Sequence, residues 1–177
     1  MSISMHAITA PVFHTMLTNL DFVLARGAKF AAETGLDEGE FMERRFAPDM
    51  LTLAEQIRQA CVHATGAMAR LAGVDAPEVS MEPDTDIAGA HARIAAALEF
   101  IEGFTPDQLD GDPDREVSVK TRLGELRFGA LDHVLHIAYP QVFFHVTTAY
   151  DLLRAEGVQI GKIDYLGAPM KNQLKDK

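Results

Sequence analysis

The sequence has only one cysteine, Cys61, so no disulfide can form within the chain. A chain without a disulfide framework is typical of a reducing compartment. No run of about 18 apolar residues occurs, which excludes a membrane-spanning helix. The first residues, MSISMHA, lack the basic and continuous apolar segments of a secretory signal. Together these absences favour a cytoplasmic protein.

Basic residues are also scarce: 16 Lys and Arg stand against 26 Asp and Glu, for a net charge of −10 and a pI near 5.0. They are scattered and form no stripe, which argues against binding to nucleic acid or to an anionic membrane surface. The remaining composition, 47% hydrophobic and 24% charged, is ordinary for a globular protein. A chain of 177 residues is long enough for one domain with a real core.

Apolar residues that recur at intervals of three and four predict four long amphipathic helices. Thr52 and Glu55 have the spacing of a capping box at the start of the second helix, and Thr85 is expected to cap the third. Pro140 falls inside the fourth helix, where it should remove one backbone hydrogen bond and kink the helix, and Gly157 should end it. The predicted helices cover residues 5–33, 52–71, 86–102 and 130–156.

A short segment before the last helix changes to a period of two, which indicates a small β-hairpin. Its alternating residues are Val117, Val119 and Thr121, then Leu126 and Phe128, around a turn over 123–125. Such a hairpin would be marginal unless it packs on the helices.

The fold prediction is therefore an all-α four-helix bundle with a small β-hairpin before the last helix. We expect a single domain over residues 1–167 and a flexible C-terminal tail over residues 168–177. Within the domain, the segment 158–167 is expected to be ordered and extended.

Several sequence blocks, together with this architecture, resemble the DinB-like (YfiT-like) superfamily, and within it a domain-of-unknown-function family. The last block is the most specific, and the likeness covers nearly the whole chain. The blocks are ARLAG at 69–73, Pro140, FHVTTAY at 144–150, Leu153–Arg154 and GVQIGKIDYLG at 157–167.

The resemblance implies a metal site. Members of the superfamily commonly bind a divalent metal through one histidine on the second helix and a His-x-x-x-His pair on the last. The matching positions are His63, Gln141 and His145, with zinc or nickel as the expected metal. Gln141 departs from the pattern, since an amide is a weaker ligand than imidazole for these metals. Two alternatives stay open: a weakly held metal completed by water, or a neutral His145 bonded to Gln141 or to a backbone carbonyl.

The resemblance also leaves two functions open. Some members are transferases that use a low-molecular-weight thiol, which implies a metal-dependent enzyme of transferase or hydrolase type. The alternative is a non-catalytic bundle without metal that binds a small molecule or is associated with stress. A homodimer is expected and is compatible with either function.

Further polar side chains on the last helix are candidates for a ligand pocket. Tyr150 and Thr148 lie near His145, and a tyrosine hydroxyl could orient a ligand or donate a proton. Arg154 follows one turn later and could receive an anion. Each also has a structural interpretation, as a core aromatic, a helix-bonded hydroxyl or a helix C-terminal contact. His133 is expected on the surface or against the hairpin, since Pro140 should move its turn away from the bundle centre.

Overall fold

The computed structural model describes residues 3–78, 82, 84–121 and 124–173. Its long helices pack into a bundle, and an antiparallel hairpin precedes the last of them, which confirms the predicted fold. In chain order the elements are α1 (Met5–Thr34), α2 (Glu38–Met42), α3 (Leu53–Ala72), α4 (Ile87–Glu102), α5 (Pro106–Leu109), β1 (Glu116–Thr121), β2 (Gly124–Gly129), α6 (Ala130–His133), a π-helical turn (Val134–Ala138), α7 (Tyr139–Ala155), α8 (Lys162–Leu166) and α9 (Ala168–Gln173).

Local sequence signals determine where α3 begins and ends. The Thr52 hydroxyl accepts the Glu55 N–H at 3.2 Å, and the Glu55 carboxylate accepts the Thr52 N–H at 2.8 Å, which confirms the capping box. Gly73 ends the helix in the left-handed conformation, with φ of 68°. The cap predicted for α4 is wrong by one residue. Asp86, and not Thr85, is the N-cap residue, because the Asp86 carboxylate accepts the Gly89 N–H at 2.7 Å.

The hairpin pairs Thr121 with Gly124 at its closed end. The predicted turn was therefore placed too late, because Gly124 and Glu125 already belong to β2; Leu123, also assigned to that turn, lies outside the described residues. Val117 of β1 is buried against the bundle. The hairpin thus packs on the helices, as a stable two-stranded sheet requires.

The last long helix is continuous from α6 to α7, with a π-helical turn between them. Proline has no N–H, so Pro140 cannot donate to the carbonyl of His136 four residues earlier. The hydrogen-bond ladder shifts instead, and the Tyr139 N–H reaches the carbonyl of Val134. The backbone hydrogen bond that Pro140 removes is therefore accommodated by a π-helical turn. Such turns are often found near functional sites.

After α7 the chain turns at Gly157, whose φ of 106° confirms the predicted glycine stop. The expectation of extended chain over 158–167 is wrong for residues 162–166, which form α8. Asp164 makes this helix possible, because its carboxylate accepts the Gly161 N–H at 2.9 Å. The Asn19 amide of α1 donates to the carbonyl of Tyr165 at 2.8 Å and fastens α8 to the bundle.

The end of the chain also contains helix, α9, up to residue 173. Residues 174–177 lie outside the described residues, and the flexibility of the tail stays a prediction. In the described ranges, no helix has the length and apolar character needed to cross a membrane.

Candidate functional site

Helices α3 and α7 pack extensively against each other, and a cavity of about 570 Å³ opens beside their contact. Six of its eleven described lining residues are polar, and β1 and the π-helical turn also contribute to the wall. The described lining residues are Leu51, Gln59, Val62, His63, Arg70, Val119, His133, Ile137, Ala138, Gln141 and His145. The three residues predicted as metal ligands are therefore brought to one cavity.

His145 lies on α7 and is buried, with 7% of its surface exposed. Its Nδ1 lies 2.7 Å from Oε1 of Gln56 on α3, and the Gln56 amide nitrogen donates to the Leu51 carbonyl at 3.3 Å. An amide oxygen can only accept, so Nδ1 of His145 carries the proton and Nε2 keeps its lone pair. The hydrogen-bonded alternative for His145 is thus present, but its partner is Gln56 and not Gln141.

His63 stacks on His145 across the helix contact. The ring centroids are 5.3 Å apart and the planes differ by 4°. The two imidazoles therefore lie next to each other in the cavity with nearly parallel planes. Gln141 lines the same cavity one turn before His145, with an exposed side chain.

Arg70 brings a positive charge to this cavity from the last turn of α3. Its guanidinium lies over Gly66, where an added Cβ would meet both terminal nitrogens at 3.3 Å. Burial lowers the pKa of Arg70, and within the described ranges its guanidinium has no hydrogen-bond or carboxylate partner. A desolvated cation without a counter-ion is costly and therefore suited to an anionic ligand.

His133 is the most deeply buried of the cavity histidines, with 1% of its surface exposed. Of the two positions expected for it, on the surface or against the hairpin, the structure shows the second, since its ring lies 6.2 Å from that of Phe128. The π-helical turn keeps this part of the helix against the bundle. Among the described residues, Nδ1 of His133 has no hydrogen-bond partner.

All three cavity histidines are held neutral at pH 7. Burial is the main cause and lowers the pKa of His63, His133 and His145 to about 4. The charge of Arg70 contributes for His63 and His133, and His63 contributes for His145. At neutral pH the described part of the cavity therefore holds one positive charge, that of Arg70, surrounded by uncharged imidazoles and amides.

This donor set fits a divalent metal poorly. The described residues contain no group of three histidine, cysteine or carboxylate side chains arranged to hold an ion. The two predicted imidazoles are stacked, and the third position supplies an amide. The field of Arg70 that disfavours a proton on His63 also disfavours a metal cation beside it. A metal at these positions stays a prediction that the geometry does not favour.

The other candidate ligand residues lie away from this cavity. The Thr148 hydroxyl donates to the Phe144 carbonyl at 2.8 Å, within its own helix. Tyr150 packs edge-on against Tyr165 with centroids 5.8 Å apart. Arg154 donates to the Val158 carbonyl at 3.1 Å, as a helix C-terminal contact. A ligand role for these three residues stays a prediction.

A second cavity, of about 270 Å³, provides a useful contrast. It is lined by Cys61 and Arg93, but Arg93 is paired with Asp84 through contacts of 2.6 and 3.0 Å. Burial raises the pKa of Cys61 to about 12, so its thiol is inert. The charge of Arg93 is already neutralised by Asp84, whereas that of Arg70 has no such partner among the described residues.

Sequence reasoning did not assign Gln59, Arg70 and His133 to the larger cavity, and it did not identify Gln56 as the partner of His145. Gln56 and Arg70 each lie two helical turns from His63 on α3, and a systematic search of that face could have identified them. Arg70 also falls inside the ARLAG block that carries the family resemblance. His133 could not be placed, because the path of the helix before Pro140 depends on the π-helical turn.

Comparison with known proteins gives matches of two kinds. A family model described as Domain of unknown function (DUF1993) matches residues 5–166. The crystal structure of a DinB family member protein from Shewanella denitrificans is similar in fold, with a TM-score of 0.85 and 32% sequence identity. The match covers 92% of this chain and 92% of that one. No curated protein matches the chain.

Proposed function

The chain belongs to the DUF1993 family, with a DinB-like fold, and we propose that it binds a small molecule in the cavity between α3 and α7 without a metal. The size of the cavity, about 570 Å³, falls in the range of pockets that enclose small organic ligands. Its described wall combines five apolar side chains with six polar ones, and such polar groups fix the orientation of a ligand.

The observation that carries this proposal is the charge of Arg70 inside the cavity. A divalent cation beside His63 and His145 would be repelled by the nearby guanidinium, and no carboxylate among the described lining residues would offset that repulsion. A metal-dependent transferase or hydrolase would need those same positions. The metal-free alternative therefore agrees better with the donor set and with the electrostatics of the site.

Location and assembly remain expectations beside this proposal. A cytoplasmic homodimer is what the composition and the fold favour, and ligand binding in the cavity depends on neither.

A fragment screen by ligand-detected NMR, in the presence of EDTA, tests the proposal. Val62→Phe places a larger side chain into the cavity and should abolish binding of the compounds found with the wild type. Val74→Phe is the matched control, because Val74 follows the end of α3 and is 49% exposed. Compounds that bind Val62→Phe unchanged, or that bind only after zinc or nickel is added, would contradict a metal-independent cavity.

A further inference from the structure

The two half-buried arginines that line cavities, Arg70 and Arg93, differ in how their charge is balanced. Arg93 shares two hydrogen bonds with the Asp84 carboxylate, at 2.6 and 3.0 Å. Arg70 has no such partner among the described residues, and none of the described residues that line its cavity is a carboxylate. This is unusual in a chain with a net charge of −10, where acidic side chains outnumber basic ones. Within the described part of the chain, the positive charge at Arg70 belongs to no ion pair and is thus open to a ligand.

The position of the Arg70 guanidinium is set by Gly66, one helical turn earlier. An added Cβ at Gly66 would lie 3.3 Å from both terminal nitrogens of Arg70 and 3.6 Å from its central carbon. Glycine in a helix interior is normally unfavourable, so its presence here calls for a reason in packing. The packing reason at this position is that glycine leaves room for the flat Arg70 guanidinium to lie along the helix beside the cavity.

A second polar group in the same cavity also lacks a partner. His133 lines the cavity and is 1% exposed, and within the described chain its Nδ1 forms no hydrogen bond. Buried ring nitrogens are normally satisfied by protein or by a ligand. The Arg70 guanidinium and Nδ1 of His133, both without a partner among the described residues, therefore belong to the same cavity. A single bound molecule could form hydrogen bonds with both.

We propose, on the basis of the function proposed above, that the ligand is a small organic anion whose carboxylate or phosphate group pairs with the Arg70 guanidinium. The planar guanidinium matches two oxygens of such a group, which gives charge-assisted, oriented hydrogen bonds. A polar atom elsewhere on the ligand bonds Nδ1 of His133, and its apolar part lies against Val62, Val119 and Ile137. The stacked imidazoles of His63 and His145 present a neutral polar surface to the same ligand.

Titration of the full chain with matched anionic and neutral probes tests this inference. Benzoate and phenyl phosphate are compared with benzamide and benzyl alcohol, in EDTA, by ¹H–¹⁵N spectra that follow the amides around the cavity. At least one anion should bind more tightly than its neutral counterpart. Arg70→Gln should weaken that anion by about ten- to hundred-fold, the usual worth of a charge-assisted contact. Comparing benzoate with phenyl phosphate separates the two oxyanion classes.

Three further variants make the result specific to the guanidinium of Arg70. Arg26→Gln removes an exposed arginine of α1 that does not line the cavity, and should leave anion binding unchanged. Gly66→Ala favours the helix but displaces the guanidinium, and should weaken the anion while the chain stays folded. Arg70→Lys keeps the charge and should retain part of the affinity, which provides a readout even if Arg70→Gln folds poorly.

The outcomes separate this inference from the proposed function on which it rests. Equal affinity for benzoate and benzamide, with no effect of Arg70→Gln, would overturn the anion and leave metal-free binding in the cavity intact. If no probe of either kind perturbs the cavity amides at millimolar concentration, the anion inference is wrong, and a negative fragment screen would then overturn the proposed function as well.

Discussion

Acidification from pH 7 to pH 5 is expected to lower the free energy of unfolding by about 2 kcal/mol for each fully buried cavity histidine. The pKa of His133 and of His145 is about 4 in the folded chain and ordinarily 6.5. Below pH 6.5 these imidazoles bind protons in the unfolded chain, whereas in the folded chain they do so only near pH 4. Stability is therefore complete above pH 6.5 and falls through this window. Together the two residues account for about 4 kcal/mol, a large part of the 5–15 kcal/mol typical of a domain.

Urea unfolding at pH 7, 6 and 5 measures this effect. The groups that face His133 and His145 in the cavity are Arg70 and the neutral His63, and neither supplies a carboxylate that would stabilise an imidazolium. His133→Gln should remove about half of the loss attributed to the two residues. His136→Gln, three residues along on an exposed position, should retain the wild-type pH dependence. An unfolding free energy that is equal at pH 7 and pH 5 would contradict the buried, neutral state of these imidazoles.

Gly167→Ala is expected to release α8 and α9 from the bundle. Gly167 is buried with φ of 68° and ψ of −150°, a conformation that is essentially restricted to glycine. An added Cβ would lie 1.8 Å from Oδ1 of Asn19, the side chain that holds the Tyr165 carbonyl at 2.8 Å. Backbone strain and the lost hydrogen bond together should cost about 2–4 kcal/mol.

Hydrogen exchange reports this release directly, because the Gly167 N–H donates to the Ile163 carbonyl at 2.9 Å and should lose protection when α8 detaches. Gly161→Ala is the matched control in the same segment. Gly161 has an extended φ of −140°, and an added Cβ there meets nothing within 4 Å. Equal exchange in the two variants would show that the contact of Gly167 with Asn19 does not hold the segment in place.

The helices could be predicted from sequence because their signals are local. The capping box of Thr52 with Glu55 and the glycine stops at Gly73 and Gly157 depend only on residues a few positions apart. The limits of this reasoning appear at α8, where Asp164 bonds the Gly161 N–H and makes helix of a segment expected to be extended. A single local hydrogen bond of this kind changes the balance between a helical turn and extended chain only slightly. The spacing of residues alone therefore does not decide between the two conformations.

The cavity was predictable only in part. Helical spacing and the family resemblance brought His63, Gln141 and His145 together, and all three line the cavity. Spacing could not identify Gln56 as the partner of His145, because that pairing depends on how α3 is rotated against α7. It could not reveal the missing counter-ion of Arg70 either, since an unpaired charge is defined by everything around it in three dimensions.

Metal analysis of untagged protein, beside His145→Ala, tests the central claim of a metal-independent cavity most directly. Inductively coupled plasma mass spectrometry, before and after incubation with zinc, nickel and manganese, is the measurement. We expect clearly less than one metal per chain in the wild type, with no decrease in His145→Ala, because the charge of Arg70 opposes a cation and no carboxylate among the described lining residues offsets it. Metal that is near-stoichiometric in the wild type and lost in His145→Ala would contradict the account and favour a metal-dependent enzyme.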